Sequence, residues 1–156
     1  MKLYLVRHAE AVSEDVAGSD ADRWLSPRGR EHARGLARLL REQRVELDAV
    51  VTSPLPRAVQ TAELVAGGLD YLGELAVEPG LAPGCHPRRV IDGLAARGAA
   101  VMVVGHEPTI SMLGALVMGR PSFPPFRTAQ CAALDRGAPT FTARADVMTV
   151  TALFVE

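Results

Sequence analysis

The sequence predicts an α/β fold, a three-layer sandwich built on a mostly parallel central sheet. Three observations carry that prediction. Short apolar runs of strand length, around residues 2–6, 48–53 and 100–104, alternate with segments of helical periodicity. The run from Ala100 to Val104 is apolar throughout, as a strand covered on both faces requires. Each of the three runs also delivers a basic side chain just past its end: Arg7-His8, then Arg57 after Pro54-Leu55-Pro56, then His106 after Gly105. Ligands of parallel α/β sheets bind at that carboxyl edge.

Taken in order, Lys2 to Val6 reads as a strand, and the polar, acidic stretch Ser13 to Asp22 reads as a loop. Ser26-Pro27 supplies an N-cap and a first-turn proline for a helix reaching Glu42. Ala33, Leu36, Ala37 and Leu40 form its inner face, with Arg34, Arg38 and Arg41 outside. The strand ending at Ser53 leads to a helix opened by Pro54 and Pro56 and ended by Gly67-Gly68. Its packed stripe is Ala58, Thr61, Ala62 and Val65, and Ser53 is expected as its N-cap.

A weaker strand is expected near Leu75 to Glu78, then a loop from Pro79 to His86 and a helix from about Pro87 to Gly98. After the strand Ala100 to Val104, Pro108 starts a helix that stops at Gly119. A proline-rich loop, Pro121 to Pro125, precedes two closing strands near Gln130 to Asp135 and Val147 to Val155.

With 156 residues, 48% hydrophobic and 22% charged, the chain has the size and composition of a single globular domain, expected over residues 1–156. A net charge of −1 provides no global field for nucleic acid or an anionic membrane, so neither is an expected partner. Lys2 is the one lysine among 17 basic residues, a bias of composition rather than of phosphate binding. Met1 leads almost directly into a strand with no apolar leader, from which a cytoplasmic location is expected. Cys85 and Cys131 have neither metal-ligand spacing nor a disulfide pattern and read as inert thiols. No histidine spacing suggests a metal, so no metal or other cofactor is expected.

Arg7, His8, Arg57 and His106 suit one chemistry. A phosphoryl group in its transition state spreads negative charge over three equatorial oxygens. Two guanidiniums and a protonated imidazole match that charge, and a second, neutral imidazole aimed in line is a nucleophile. Neighbouring arginines are expected to lower that histidine's pKa.

These residues sit in motifs that resemble the histidine phosphatase superfamily. They are Arg7-His8-Ala9-Glu10, Leu25-Ser26-Pro27-Arg28-Gly29, the block from Ser53 to Ala62, and Val104-Gly105-His106-Glu107-Pro108. Within the superfamily the chain is most similar to the small SixA-type phosphohistidine phosphatases. The resemblance implies a phosphoglycerate mutase-like fold with one antiparallel strand in the sheet. It also implies that His8 is transiently phosphorylated, that Arg7 and Arg57 bind the phosphoryl oxygens, and that His106 stabilises the transition state.

Two departures matter. The family's Arg-His-Gly is Arg-His-Ala here, and the segment Leu81 to His86 has no carboxylate where larger members carry a general acid. SixA-type members lack it too. General acid catalysis matters most when an alkoxide leaves, whereas a phosphoramidate nitrogen can be protonated first. The expected substrate is therefore phosphohistidine on a signalling protein, with a small phosphorylated molecule as the alternative and a non-catalytic phospho-ligand module as the rival of another class. Glu10 and His86 are further candidates for substrate contact or proton donation. The acidic loop with Asp20 and Asp22 reads as solvated.

Overall fold

In a computed structural model, residues 1–145 and the backbone of 149–151 are described. The first strand, β1 (Lys2–Arg7), is followed by one helical turn, α1 (Glu14–Ala17), and the long helix α2 (Pro27–Glu42). Then come β2 (Ala49–Thr52), α3 (Pro56–Gly68), β3 (Leu75–Val77), α4 (Arg88–Leu94) and β4 (Ala100–Gly105). The chain closes with α5 (Thr109–Met118), β5 (Gln130–Asp135), β6 (Ala138–Arg144) and β7 (Thr149–Thr151).

The seven strands form one sheet in the order β3-β2-β4-β1-β5-β6-β7. Strands β3, β2, β4 and β1 pair in parallel, while β5, β6 and β7 add an antiparallel edge. Alternation along β1 and β4 feeds two cores. Tyr4, Val6, Met102 and Val104 pack under α2 and α3, whereas Leu3, Leu5, Val101 and Val103 pack under α4 and α5. Side chains of a strand alternate between faces, so a continuous apolar run is what a sheet covered twice needs. The mostly parallel α/β sandwich is thus the architecture the sequence predicts.

Three local expectations change. Residues 14–17 form a helical turn within the expected loop, capped by Ser13 and closed by Gly18 in the left-handed region at φ 90°. The closing pair of strands is a three-strand edge, because β6 follows β5 through Arg136-Gly137. Both turn residues have positive φ, 50° and 75°, the geometry of a tight two-residue hairpin. Pro139 in β6 hides this strand from a propensity reading. Of the strand expected at Val147 to Val155, 149–151 is β7; the remainder lies outside the described residues.

Helix α2 begins as read, with Ser26 Oγ accepting from Gly29 N and Pro27 in the first turn. Gly29 is required by contact: a Cβ there would collide with the backbone carbonyl of Glu10. That close approach seats the start of α2 against the segment that follows the Arg7-His8 pair. Helix α4 ends at Leu94 and tightens into a 3₁₀ turn (Ala95–Arg97) before Gly98 at φ 140°. Both cysteines are free thiols, Cys131 buried and Cys85 exposed.

Candidate active site

Strand β4 lies between β1 and β2, so the carboxyl ends of all three are neighbours. Their ladders continue one residue further. His8 N donates to Gly105 O at 3.0 Å, and Ser53 N donates to Val104 O at 2.9 Å. The His8 and His106 rings consequently sit 5.1 Å apart between centroids, at an interplanar angle of 54°. Arg57 comes from the first turn of α3, and its side chain is buried. Arg7, His8, Arg57 and His106 all line one cleft of about 350 Å³.

The backbone around the cleft is tied together by Thr61. Its hydroxyl donates to Arg57 O at 2.7 Å and accepts from Ala9 N at 2.9 Å. The position beside His8 is thereby pinned to α3. His8 Nδ1 lies 2.7 Å from Ala9 O, and because a carbonyl only accepts, this nitrogen carries the proton. In the neutral ring Nε2 then holds the lone pair.

Burial pushes the His8 pKa down to about 3. His106, Arg57 and Arg7 push the same way, opposed by the bond to Ala9. Desolvation outweighs the arginines, which reverses the emphasis of the sequence reading. His106 is likewise pushed down, to about 4, by burial first and then by Arg57, against the pull of Asp20. Burial thus favours the neutral ring, whereas the sequence reading has a protonated imidazole facing the phosphoryl charge.

Ser53 has a different role from the one expected. The residue capping α3 is Leu55, with no side-chain cap, while the buried Ser53 Oγ lies 2.7 Å from His106 Nε2. This bond leaves Nδ1 as the free nitrogen of His106. Arg7 is held through Nη1 to Phe126 O at 2.8 Å.

Asp20, read as solvated, instead reaches Arg57. Its backbone oxygen accepts from Arg57 Nη1 at 2.7 Å and its carboxylate from Nη2 at 3.2 Å. The same carboxylate pairs with Arg23 Nη1 at 3.2 Å, and these bonds, Arg23 first, hold its pKa below the usual range. Asp20 and Arg23 both line the cleft. The sequence offered no periodicity by which to place this loop over α3.

Glu10 also lines the cleft, with its Oε1 accepting from Ser26 Oγ at 2.9 Å. His86 does not join it. That side chain is exposed, and its Nδ1 accepts from Arg88 N at 3.2 Å. The segment from Leu81 to His86 contributes Pro83 to the cleft instead. Glu107, next to His106, lines it too and was not singled out from sequence. Among the described residues no three His, Cys, Asp or Glu side chains are grouped as a metal ion would need. No helix among them is long and apolar enough to cross a membrane.

A family model of the histidine phosphatase superfamily (branch 1) matches residues 3–82, a span holding Arg7, His8, Glu10 and Arg57. The chain belongs to the histidine phosphatase superfamily. It is 32% identical over 139 residues to phosphohistidine phosphatase SixA of Escherichia coli (strain K12), covering 86% of this chain and 84% of that one. A protein of Picosynechococcus sp. is 31% identical over 118 residues, 70% of this chain and 68% of its own length. The solved structure of protein histidine phosphatase SixA in complex with tungstate superposes with a TM-score of 0.80 at 30% identity, covering 93% of this chain and 96% of that one.

Proposed function

We propose that this protein is a metal-independent phosphatase that hydrolyses phosphohistidine on a signalling protein through a covalent phospho-His8 intermediate. One observation carries the reading. Arg7 Nε, Arg57 Nε and His106 Nδ1 are buried nitrogens with no hydrogen-bond partner among the described residues, and with the Ser53 hydroxyl donating to His106 Nε2, Nδ1 carries the ring's N–H. An unpaired buried donor costs about 1–3 kcal/mol. Three of them on residues lining the cleft of a neutral, buried histidine form a donor set for the three equatorial oxygens of a phosphoryl group. The likeness to a SixA structure holding tungstate, a tetrahedral oxyanion, supports the same site.

The reaction has two displacements. His8 Nε2 gives its lone pair to phosphorus, the phosphorus–nitrogen bond of the substrate breaks, and that pair stays on the departing ring, which leaves as neutral imidazole because its other nitrogen carries a proton from the start. Water then attacks phospho-His8, Nε2 recovers its pair, and inorganic phosphate leaves with the water's oxygen. His8 keeps its Nδ1 proton on Ala9 O throughout, so the phosphorylated ring is itself a good leaving group.

The substrate class rests on what faces the phosphoryl site. Pro83, the contribution of the segment that carries an acid in larger relatives, has no proton to donate. A nitrogen leaving group tolerates this; an alkoxide does not. The superfamily relationship keeps a small phosphorylated molecule as the second reading, and the 350 Å³ cleft has room for one.

The test is phosphate release, without added metal, from a phosphohistidine-bearing protein, a sugar-phosphate panel and p-nitrophenyl phosphate, with His8→Ala as control. Highest kcat/KM on phosphohistidine supports the reading. Preference for a sugar phosphate replaces the substrate class, and binding without turnover on any of them replaces the enzyme with a phospho-ligand module.

A further inference from the structure

Four buried side-chain atoms lack a hydrogen-bond partner among the described residues. Three are the donors assigned above to phosphoryl oxygens. The fourth is an acceptor, Oε1 of Glu107, on a residue lining the same cleft. A carboxylate oxygen repels a phosphoryl oxygen, so it is built for a different part of the substrate.

Its surroundings direct it. Ser111, in the first turn of α5, has its hydroxyl 2.9 Å from Glu107 Oε2 and 3.0 Å from Pro108 O, and its one proton, shared between them, engages one oxygen of the carboxylate. Oε1 remains the free one. The cleft's other carboxylates are engaged differently: Glu10 accepts from Ser26, and Asp20 is held between Arg23 and Arg57. His86, the other candidate for proton handling, is not among the residues lining the cleft.

We propose that Glu107 reads the leaving group, its Oε1 accepting the N–H that the far ring nitrogen of the substrate's phosphoimidazole carries in its protonated, cationic form. The proposal rests on the phosphohistidine reading above and deepens it. Attack by His8 Nε2 forms one phosphorus–nitrogen bond as the other breaks. The pair from the broken bond goes to the departing ring nitrogen, while the far nitrogen keeps its proton against Glu107. The ring therefore leaves as neutral imidazole, with no proton transferred in that step. An alkyl ester offers no such N–H, and its developing alkoxide would face a carboxylate. Glu107 thus selects for a protonated nitrogen heterocycle and against an alkoxide, which explains how the site works with Pro83 in place of an acid.

The competing role is structural, because the Glu107 carboxylate also supports the charge on Arg7. The two are separable with Glu107→Gln, Glu107→Ala and three readouts: turnover of a synthetic phosphohistidine peptide, turnover of p-nitrophenyl phosphate, and inhibition by inorganic phosphate. The proposal predicts that Glu107→Gln lowers kcat/KM on the peptide by about 10–100-fold, the worth of one charge-assisted hydrogen bond. Turnover of p-nitrophenyl phosphate rises, because its anionic leaving group no longer faces a carboxylate, and phosphate inhibits equally or more tightly once that charge is gone. Added formate partly restores Glu107→Ala on the peptide alone. Equal losses on both substrates with weakened phosphate inhibition would assign Glu107 to holding Arg7 and overturn the proposal. An unchanged rate on the peptide would also overturn it while leaving the phosphohistidine reading intact. A wild-type enzyme that turns over esters but not the peptide would remove both.

Discussion

His8 Nδ1 stands 2.7 Å from the carbonyl oxygen of Ala9, and this contact selects which ring nitrogen is free. With Nδ1 protonated, Nε2 holds the lone pair, and burial keeps the ring neutral down to about pH 3. An ordinary histidine would be about 97% protonated at pH 5, a loss of roughly 30-fold in nucleophile. We expect kcat/KM for p-nitrophenyl phosphate, corrected for substrate ionisation, to change by less than about threefold between pH 7 and pH 5. A limb falling tenfold per pH unit below 6.5 would show that His8 is not the buried neutral base described.

The same burial makes the fold acid-sensitive. His8 and His106 have folded pKa values of about 3 and about 4, both below the ordinary value near 6.5. Between pH 4 and 6.5 the unfolded chain binds more protons, so stability falls as pH falls through this window. At pH 5 each ring contributes a loss of about 2 kcal/mol relative to pH 7. Denaturant titrations at pH 7 and pH 5 should show this decline, and His106→Phe should make it shallower. Equal stability at both pH values for the wild type would contradict it.

Ser53 acts through His106. Removing its hydroxyl in Ser53→Ala leaves His106 Nε2 unpaired in a buried site and frees the ring to turn its Nδ1 away from the cleft. The expected cost is about 1–3 kcal/mol of stability. A misdirected donor should also lower kcat by about 10–100-fold with little change in KM. Steady-state kinetics beside a melting curve would check both, and a stable variant with unchanged kcat would refute the positioning role.

Thr61 links Ala9 N to Arg57 O, the backbone bridge between the two halves of the site. Thr61→Val keeps the shape and deletes the hydroxyl, leaving the Ala9 N–H unpaired at a cost of about 1–3 kcal/mol. Thr61→Ser retains the hydroxyl and should recover most of the stability. Chemical denaturation of the pair would show it; equal losses would assign the effect to packing.

Much of this architecture was legible because it depends on local patterns. The apolar run of β4, Ser26-Pro27 before α2 and Gly119 after α5 each state their own boundary. Arg7, His8, Arg57 and His106 converge because parallel strands place their carboxyl ends together, so their position in sequence was enough to group them. What stayed hidden depends on contacts between distant segments. Asp20 reaches Arg57 across 37 residues, and Ser53 meets His106 across 53. A serine before a proline-opened helix looks like a cap until the neighbouring strand brings a histidine to it. β6 was concealed by Pro139, although Arg136-Gly137 after a strand is a hairpin signal. His86 was misplaced because proximity in sequence to the Pro83 segment does not carry it to the cleft.

The most direct test of the central claim is to trap the enzyme during turnover. Rapid mixing with a radiolabelled phosphohistidine protein, followed by an alkaline quench and peptide mapping, should give up to one acid-labile phosphoryl group per chain. It should lie on His8, and the label should vanish in His8→Ala. Inorganic phosphate released at full rate with no labelled chain, or label mapped to any other residue, would contradict the covalent phospho-His8 route.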